Sequence, residues 1–140
     1  MDRIMYEILT FVFSATSYVH KGDVPAAILL LLMELGFQTH TDGFGYLRKA
    51  IFLKYNNPGM RMSAIVQEIV KMSDDAVGTK QIEQAICSAI ETAWADRDEE
   101  KWGLIFYDKL EKPTNKVFVA RIACIMELWN SCREVSDGTE

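Results

Sequence analysis

Residues 82–94 read IEQAICSAIETAW and place Ile82, Ala85, Ile86, Ala89, Ile90 and Ala93 at spacings of three and four. At 3.6 residues per turn these six fall on one stripe of a helix. The alanines in the stripe let a neighbouring helix approach closely, so the pattern specifies a helix buried on one face against other helices. With only 3 prolines and 8 glycines, the chain favours long helices over a many-turned sheet. The fold class expected is all-α, a compact bundle of six to seven helices.

A second stretch, KPTNKVFVA from Lys112 to Ala120, reads as a helix start. Pro113 has its φ pre-set for a turn or first helical position, and Thr114 and Asn115 are residue types that cap exposed N–H groups. An apolar stripe follows through Val117, Phe118, Ala120, Ile122, Ala123, Ile125, Met126 and Trp129, with Cys124 among it.

The remaining elements follow from periodicity and punctuation. Residues 3–18 form an amphipathic helix with Ile4, Ile8, Phe11, Val12 and Ala15 on one side, and His20 to Asp23 make a linker. Asp23 caps the next helix, which has Pro25 near its start and stops at Gly36. This helix is apolar nearly all round, which places it at the centre of the bundle or at an interface. Gly43 and Gly45 frame the entry to a helix ending near Tyr55, and Asn56 to Gly59 form a turn. Ser63 is expected to cap a helix over 64–72. A polar turn over 73–78 includes the adjacent Asp74 and Asp75, expected to cap and solvate it. Thr79 is expected to cap the helix to Trp94, with Glu83 close to its first turn. The 64–72 and 80–94 pair is a candidate helix-turn-helix. A short apolar segment covers 102–106, the last helix spans 114–132, and the tail from Glu134 is polar.

The two opening strings, with LLMELGFQTHTDGFGYLRKAI upstream, resemble the C-terminal effector domain of the stage-zero sporulation response regulator of endospore-forming bacteria. The resemblance rests on Glu34, Leu35, Gly36, His40, Gly43, Tyr46, Leu47, Arg48, Ala50 and Ile51. It continues through Glu83, Ala85, Ile86, Ala89, Ile90, Glu91, Ala93 and Trp94, then Lys112, Pro113, Thr114, Asn115, Phe118 and Ala120. It runs in order from about Val24 to about Leu128. It implies a DNA-binding, transcription-regulating helix-turn-helix module and double-stranded DNA as partner. The organisation expected is an extra N-terminal helix and linker over 1–22, an effector domain over 23–133 and a polar tail over 134–140. The effector domain of this family follows a receiver domain, for which 23 residues leave no room, so a stand-alone module is expected.

Helix 80–94 is then the recognition helix, presenting Lys80, Gln81, Gln84, Cys87, Ser88 and Glu91. The family is rich in arginine on this face, and the aligned positions here hold Gln81, Gln84 and Cys87. From Lys80 to Trp94 one positive and two negative residues give a net charge of −1. Gln can read adenine bidentately, but it supplies none of the counterion release that dominates affinity. From Lys101 to Arg121 five positive and two negative residues give +3. Within it Lys112, Thr114, Asn115 and Lys116 gather at a helix start, a ready phosphate site. Arg48, Lys49, Lys54 and Arg61 are expected to be a solvated face.

Two partner classes therefore stay open. One is DNA, bound weakly. The other is a protein, with the module pairing with itself or with a regulator. The apolar Ile28–Met33 run is a candidate homodimer seam, or a face covered by the first helix.

Other chemistry finds little support. His20 and His40 lack paired ligand spacing, and His40 is expected in a structural hydrogen bond. There is no P-loop or dinucleotide fingerprint, so no catalytic residue, cofactor or metal is assigned and no enzyme is expected. Three cysteines without metal spacing suit a reduced, cytoplasmic protein. The N-terminal apolar run is broken by Glu7 and too short for a bilayer, and its start is not clearly basic, so neither a membrane span nor a signal peptide is expected.

Overall fold

The computed structural model describes residues 2–20, 22–73 and 76–138, with side chains through 132. All regular elements among them are helices: α1 (Arg3–Ala15), α2 (Val24–Glu34), α3 (Asp42–Asn56), α4 (Met62–Met72), α5 (Thr79–Ala95), α6 (Glu99–Ile105) and α7 (Asn115–Gly138).

Capping side chains set most starts. Asp2 accepts from the Ile4 N–H, Asp23 from Ala26 and Thr41 from Phe44, while Asp98 accepts from both Glu100 and Lys101. Each satisfies a donor that the first turn leaves without an intrahelical partner. Pro25 stands in the first turn of α2. Just beyond the α2 end, Gly36 takes φ +90°, a left-handed stop that a side chain would strain.

Two expected caps are corrected. Ser63 lies inside the first turn of α4, whose N-cap is Arg61, and no side chain caps it. Thr79 is the first residue of α5, and the N-cap is Gly78. There Gln81 Oε1 accepts from the Gly78 N–H at 2.9 Å, so a longer side chain three residues on takes over the task. Glu83 consequently falls beyond the first turn of α5. The first helix ends at Ala15 rather than 18, with Thr16 as its C-cap, whose hydroxyl donates to the Val12 carbonyl at 2.7 Å. At the other end α7 runs on to Gly138, past the expected 132. Asp74 and Asp75 lie outside the described residues.

The central helix is α3, packed against α2, α4, α5 and α7. It buries Phe44, Leu47, Ala50 and Ile51, whereas the more apolar α2 keeps Met33 exposed. Position in the bundle follows from how many faces find a partner, which mean apolarity alone does not report. The α3–α5 crossing is close. A Cβ on Gly43 would overlap the Ala85 carbonyl and lie 3.2 Å from the Ala89 Cβ. The alanines of the opening stripe permit that approach.

The stripe itself is buried: Ile82, Ile86 and Ile90 share the core with Phe118 and Ile122 of α7. Burying each such side chain contributes about 1.5–3 kcal/mol. Phe37, Trp102, Phe106 and Phe118 form an aromatic cluster with Trp102 at its centre. Trp102 also donates its indole N–H to the Leu35 carbonyl at 2.9 Å, fixing α6 to the end of α2. Trp94 is only half-buried, with the Arg97 guanidinium 3.6 Å above its ring. Cys124 is exposed, on the far side of α7 from its stripe. The α2 run is partly covered within the chain: Ile28, Leu31 and Leu32 are buried, Leu29 and Leu30 are half-buried and Met33 is exposed, while α1 packs on α2, α6 and α7 through Ile8, Leu9 and Val12.

Candidate nucleic-acid interface

Helices α4 and α5 form the helix-turn-helix pair. Ile65, Val66 and Ile69 of α4 and Ile82, Ile86, Ile90 and Ala93 of α5 turn inward. That fixes the outward face of α5. Lys80, Gln81, Gln84 and Ser88 are exposed on it, and Cys87 is half-buried. Gln81 is partly committed, because its Oε1 holds the Gly78 N–H. A bidentate contact through its amide requires that bond to be released. Gln84 has no such tie among the described residues.

The segment before α7 closes onto this face. Lys112 Nζ lies 3.0 Å from Glu91 Oε1 and 3.7 Å from Cys87 Sγ, and Cys87 Sγ lies 3.5 Å from Glu91 Oε1. The hydrogen bond from Lys112 holds the Glu91 carboxyl below its ordinary pKa, and the same bond raises Lys112. Asn115 donates from Nδ2 to the Glu83 carbonyl at 3.0 Å. Thr114 accepts from the Val117 N–H at 3.2 Å and so caps α7. Three of the four residues expected at a phosphate are thus engaged within the chain, two of them on α5. Lys116, the fourth, stands exposed and without an ion pair among the described residues.

Two further cations of the basic 101–121 segment are engaged as well. Lys101 pairs with Glu34 at 2.8 Å. Arg121 meets Asp108 through both terminal guanidinium nitrogens, at 3.1 and 3.0 Å, and also the Ile105 carbonyl at 2.9 Å. That fork geometry holds the Asp108 carboxyl below its ordinary pKa. A sequence count of +3 therefore overstates the free positive charge, since Lys101 and Lys112 are matched by acids from outside the segment, Glu34 and Glu91.

Lys116 instead faces a cleft of about 500 Å³ between the end of α3, the α3–α4 turn and α7. Lys54, Arg61 and Ser63 line the same cleft. Lys54 is half-buried and donates to the Met60 carbonyl at 2.9 Å. Sequence reasoning separated these cations, because Lys116 is remote in the chain from the other two and only the fold unites them. His40 is exposed, and hydrogen bonding in its loop runs through Thr41.

No group of three His, Cys, Asp or Glu side chains among the described residues is arranged to hold a metal ion. None of the described helices is long and apolar enough to cross a membrane. The family model described as sporulation initiation factor Spo0A C terminal matches residues 28–126 of this chain, from α2 to the middle of α7.

Proposed function

The chain belongs to the family of the sporulation initiation factor Spo0A C-terminal domain, and from that premise we propose that it is a transcription-regulator effector domain that binds double-stranded DNA weakly through α5. The family is one of DNA-binding regulator domains and not of enzymes. The effector domain comprises residues 23–133, with 1–22 as an added helix and linker and 134–140 as a polar tail.

The observation that carries this reading is the orientation of α5. Its isoleucine stripe is buried against the bundle while Lys80, Gln81, Gln84 and Ser88 face outward together. A recognition helix lies in the major groove with its N-terminal residues at the base edges. Gln84 is placed to pair with adenine, Gln81 joins it once its Gly78 contact opens, and Ser88 offers a hydroxyl to either base type. Cys87, Lys112 and Asn115 act behind them by holding α5 and the start of α7 together, and Thr114 by capping α7.

Affinity is expected to be low. Lys80 is the one cation on the face, and Lys112 is spent on Glu91. With two to four phosphates neutralised, log affinity against log salt should fall with a slope of about −2 to −4. Fluorescence anisotropy with labelled duplex at several salt concentrations measures that slope. Absence of binding even at low salt removes the reading.

A second reading has one observation of its own. The exposed charges on α5 are mixed, with Glu83 and a paired Glu91 beside Lys80. Such a surface also suits a protein partner, with the fold kept and the nucleic acid lost. Silence towards duplex, persisting when Gln81 and Gln84 are both changed to Arg, favours this alternative.

A further inference from the structure

We propose that the cleft lined by Lys54, Arg61 and Lys116 seats the phosphodiester backbone of duplex DNA, outside the groove that α5 reads. The proposal rests on the DNA reading above and says where its positive charge resides.

The chain has 15 basic and 20 acidic residues, a net charge of −5. Elsewhere in the 101–121 region Lys101, Lys112 and Arg121 are matched by carboxylates of this chain, while Lys109 stands exposed outside the cleft. In this cleft three cations converge from three parts of the fold, and among the described residues no carboxylate lines it. Like charges held together raise one another's free energy, and an anion between them reverses the sign of that term.

The cleft is open, about 500 Å³ in volume, with the Ser63 hydroxyl on its wall beside the cations. Lys54 is oriented by the Met60 carbonyl. Arg61 offers a planar fork of donors and Lys116 a mobile point charge, the two side chains that meet phosphate oxygens most readily. Phosphate is the anion that uses several donors at once.

The first helix of a helix-turn-helix crosses the DNA backbone while the second enters the groove. Arg61 and Ser63 stand at the start of α4, the first helix. Lys116 follows Asn115, whose side chain grips the α5 backbone at Glu83. The cleft wall is therefore fixed to the recognition helix one residue from Gln84. A phosphate seat here sets the register of α5 and carries no sequence information.

The test is salt-dependent anisotropy with the full chain on two duplexes of unrelated sequence. Arg61→Gln with Lys116→Gln should reduce the magnitude of the slope by about 1.8, two contacts' worth. The loss of affinity should be equal on both duplexes. Arg61→Lys with Lys116→Arg, which keeps the charge, should retain the slope. Lys109→Gln removes an exposed cation outside the cleft and should leave it unchanged. A double glutamine variant with the slope of the unmodified protein overturns the seat while leaving the DNA reading intact. An equal loss from Lys109→Gln overturns it too, by showing that diffuse charge is enough. If the unmodified protein ignores duplex altogether, the seat and the DNA reading fall together.

Discussion

Lys112 Nζ sits 3.0 Å from Glu91 Oε1, and this contact holds the chain entering α7 against the outward side of α5. A lysine that the sequence places at a helix start, free for phosphate, is neutralised by a recognition-helix carboxylate. Glu91→Gln removes the acid and releases the ammonium together. The variant should bind duplex more tightly at low salt, and its log–log salt slope should steepen by about 0.9, one further phosphate. Anisotropy titration against the unmodified protein reads both changes. An unchanged slope places Lys112 out of reach of DNA.

The same pair and its relatives give a pH dependence with a definite sign. Glu91 and Asp108 are held below the ordinary carboxylate range by Lys112 and Arg121. Their contribution to stability is complete above the unfolded carboxylate pKa and is lost as pH falls through the lowered folded values. Lys101 and Lys112 are raised by Glu34 and Glu91, so their contribution is complete below the unfolded lysine pKa and is lost as pH rises through the raised folded values. All these groups are solvent-screened, so the effect is small. Thermal melts across pH should show a flat plateau between those limits with shallow losses on both sides. Adding salt should flatten the losses further.

Much of the bundle is written in local pattern. The Ile82, Ile86 and Ile90 stripe, the Asp23 cap and the Gly36 stop each depend on neighbours a few residues away, and each stands where spacing puts it. The centre of the bundle is less legible. It is α3 because four helices pack on it, and Gly43 admits one of them by lacking a Cβ. The candidate interface is legible in outline only. Periodicity turns Lys80, Gln84 and Ser88 outward, but charge pairing is a long-range property. Glu91 with Lys112, Asp108 with Arg121, and Glu34 with Lys101 meet only after folding. Lys54, Arg61 and Lys116 come together by the same route.

Gly43→Ala tests the close crossing of α3 and α5. The new methyl would meet the Ala85 carbonyl, which is backbone of a long helix and yields only by shifting α5. Overpacking of this kind destabilises by about 1–3 kcal/mol. Urea denaturation should show a lower midpoint for Gly43→Ala and little change for Gly45→Ala, whose Cβ would meet open space.

Ile86→Ala tests the buried stripe. Ile86 is 0% exposed and belongs to the core that includes Phe118 and Ile122. The loss should be about 2–5 kcal/mol by chemical denaturation. A loss below about 0.5 kcal/mol, the range of neutral surface substitutions, would place this face in solvent and overturn the orientation of α5.

The last prediction restores charge where the resemblance implies arginine. Of the three aligned positions, Gln81 and Gln84 are exposed, while Cys87 is half-buried beneath the Lys112–Glu91 pair. An arginine at 87 has to displace Lys112, so the triple change confounds added charge with a broken clamp. Gln81→Arg with Gln84→Arg is the cleaner variant, although it gives up the Gly78 contact at the start of α5. Two new cations at the groove should steepen the salt slope by about 1.8 and raise affinity for generic duplex. Discrimination in favour of adenine should fall, since arginine pairs with guanine edges. Adding Cys87→Arg should give less than a third equal increment and should lower the melting temperature, because Glu91 loses its partner. An equal third increment with an unchanged melting temperature would show that Lys112 and Glu91 do not hold α7 on α5.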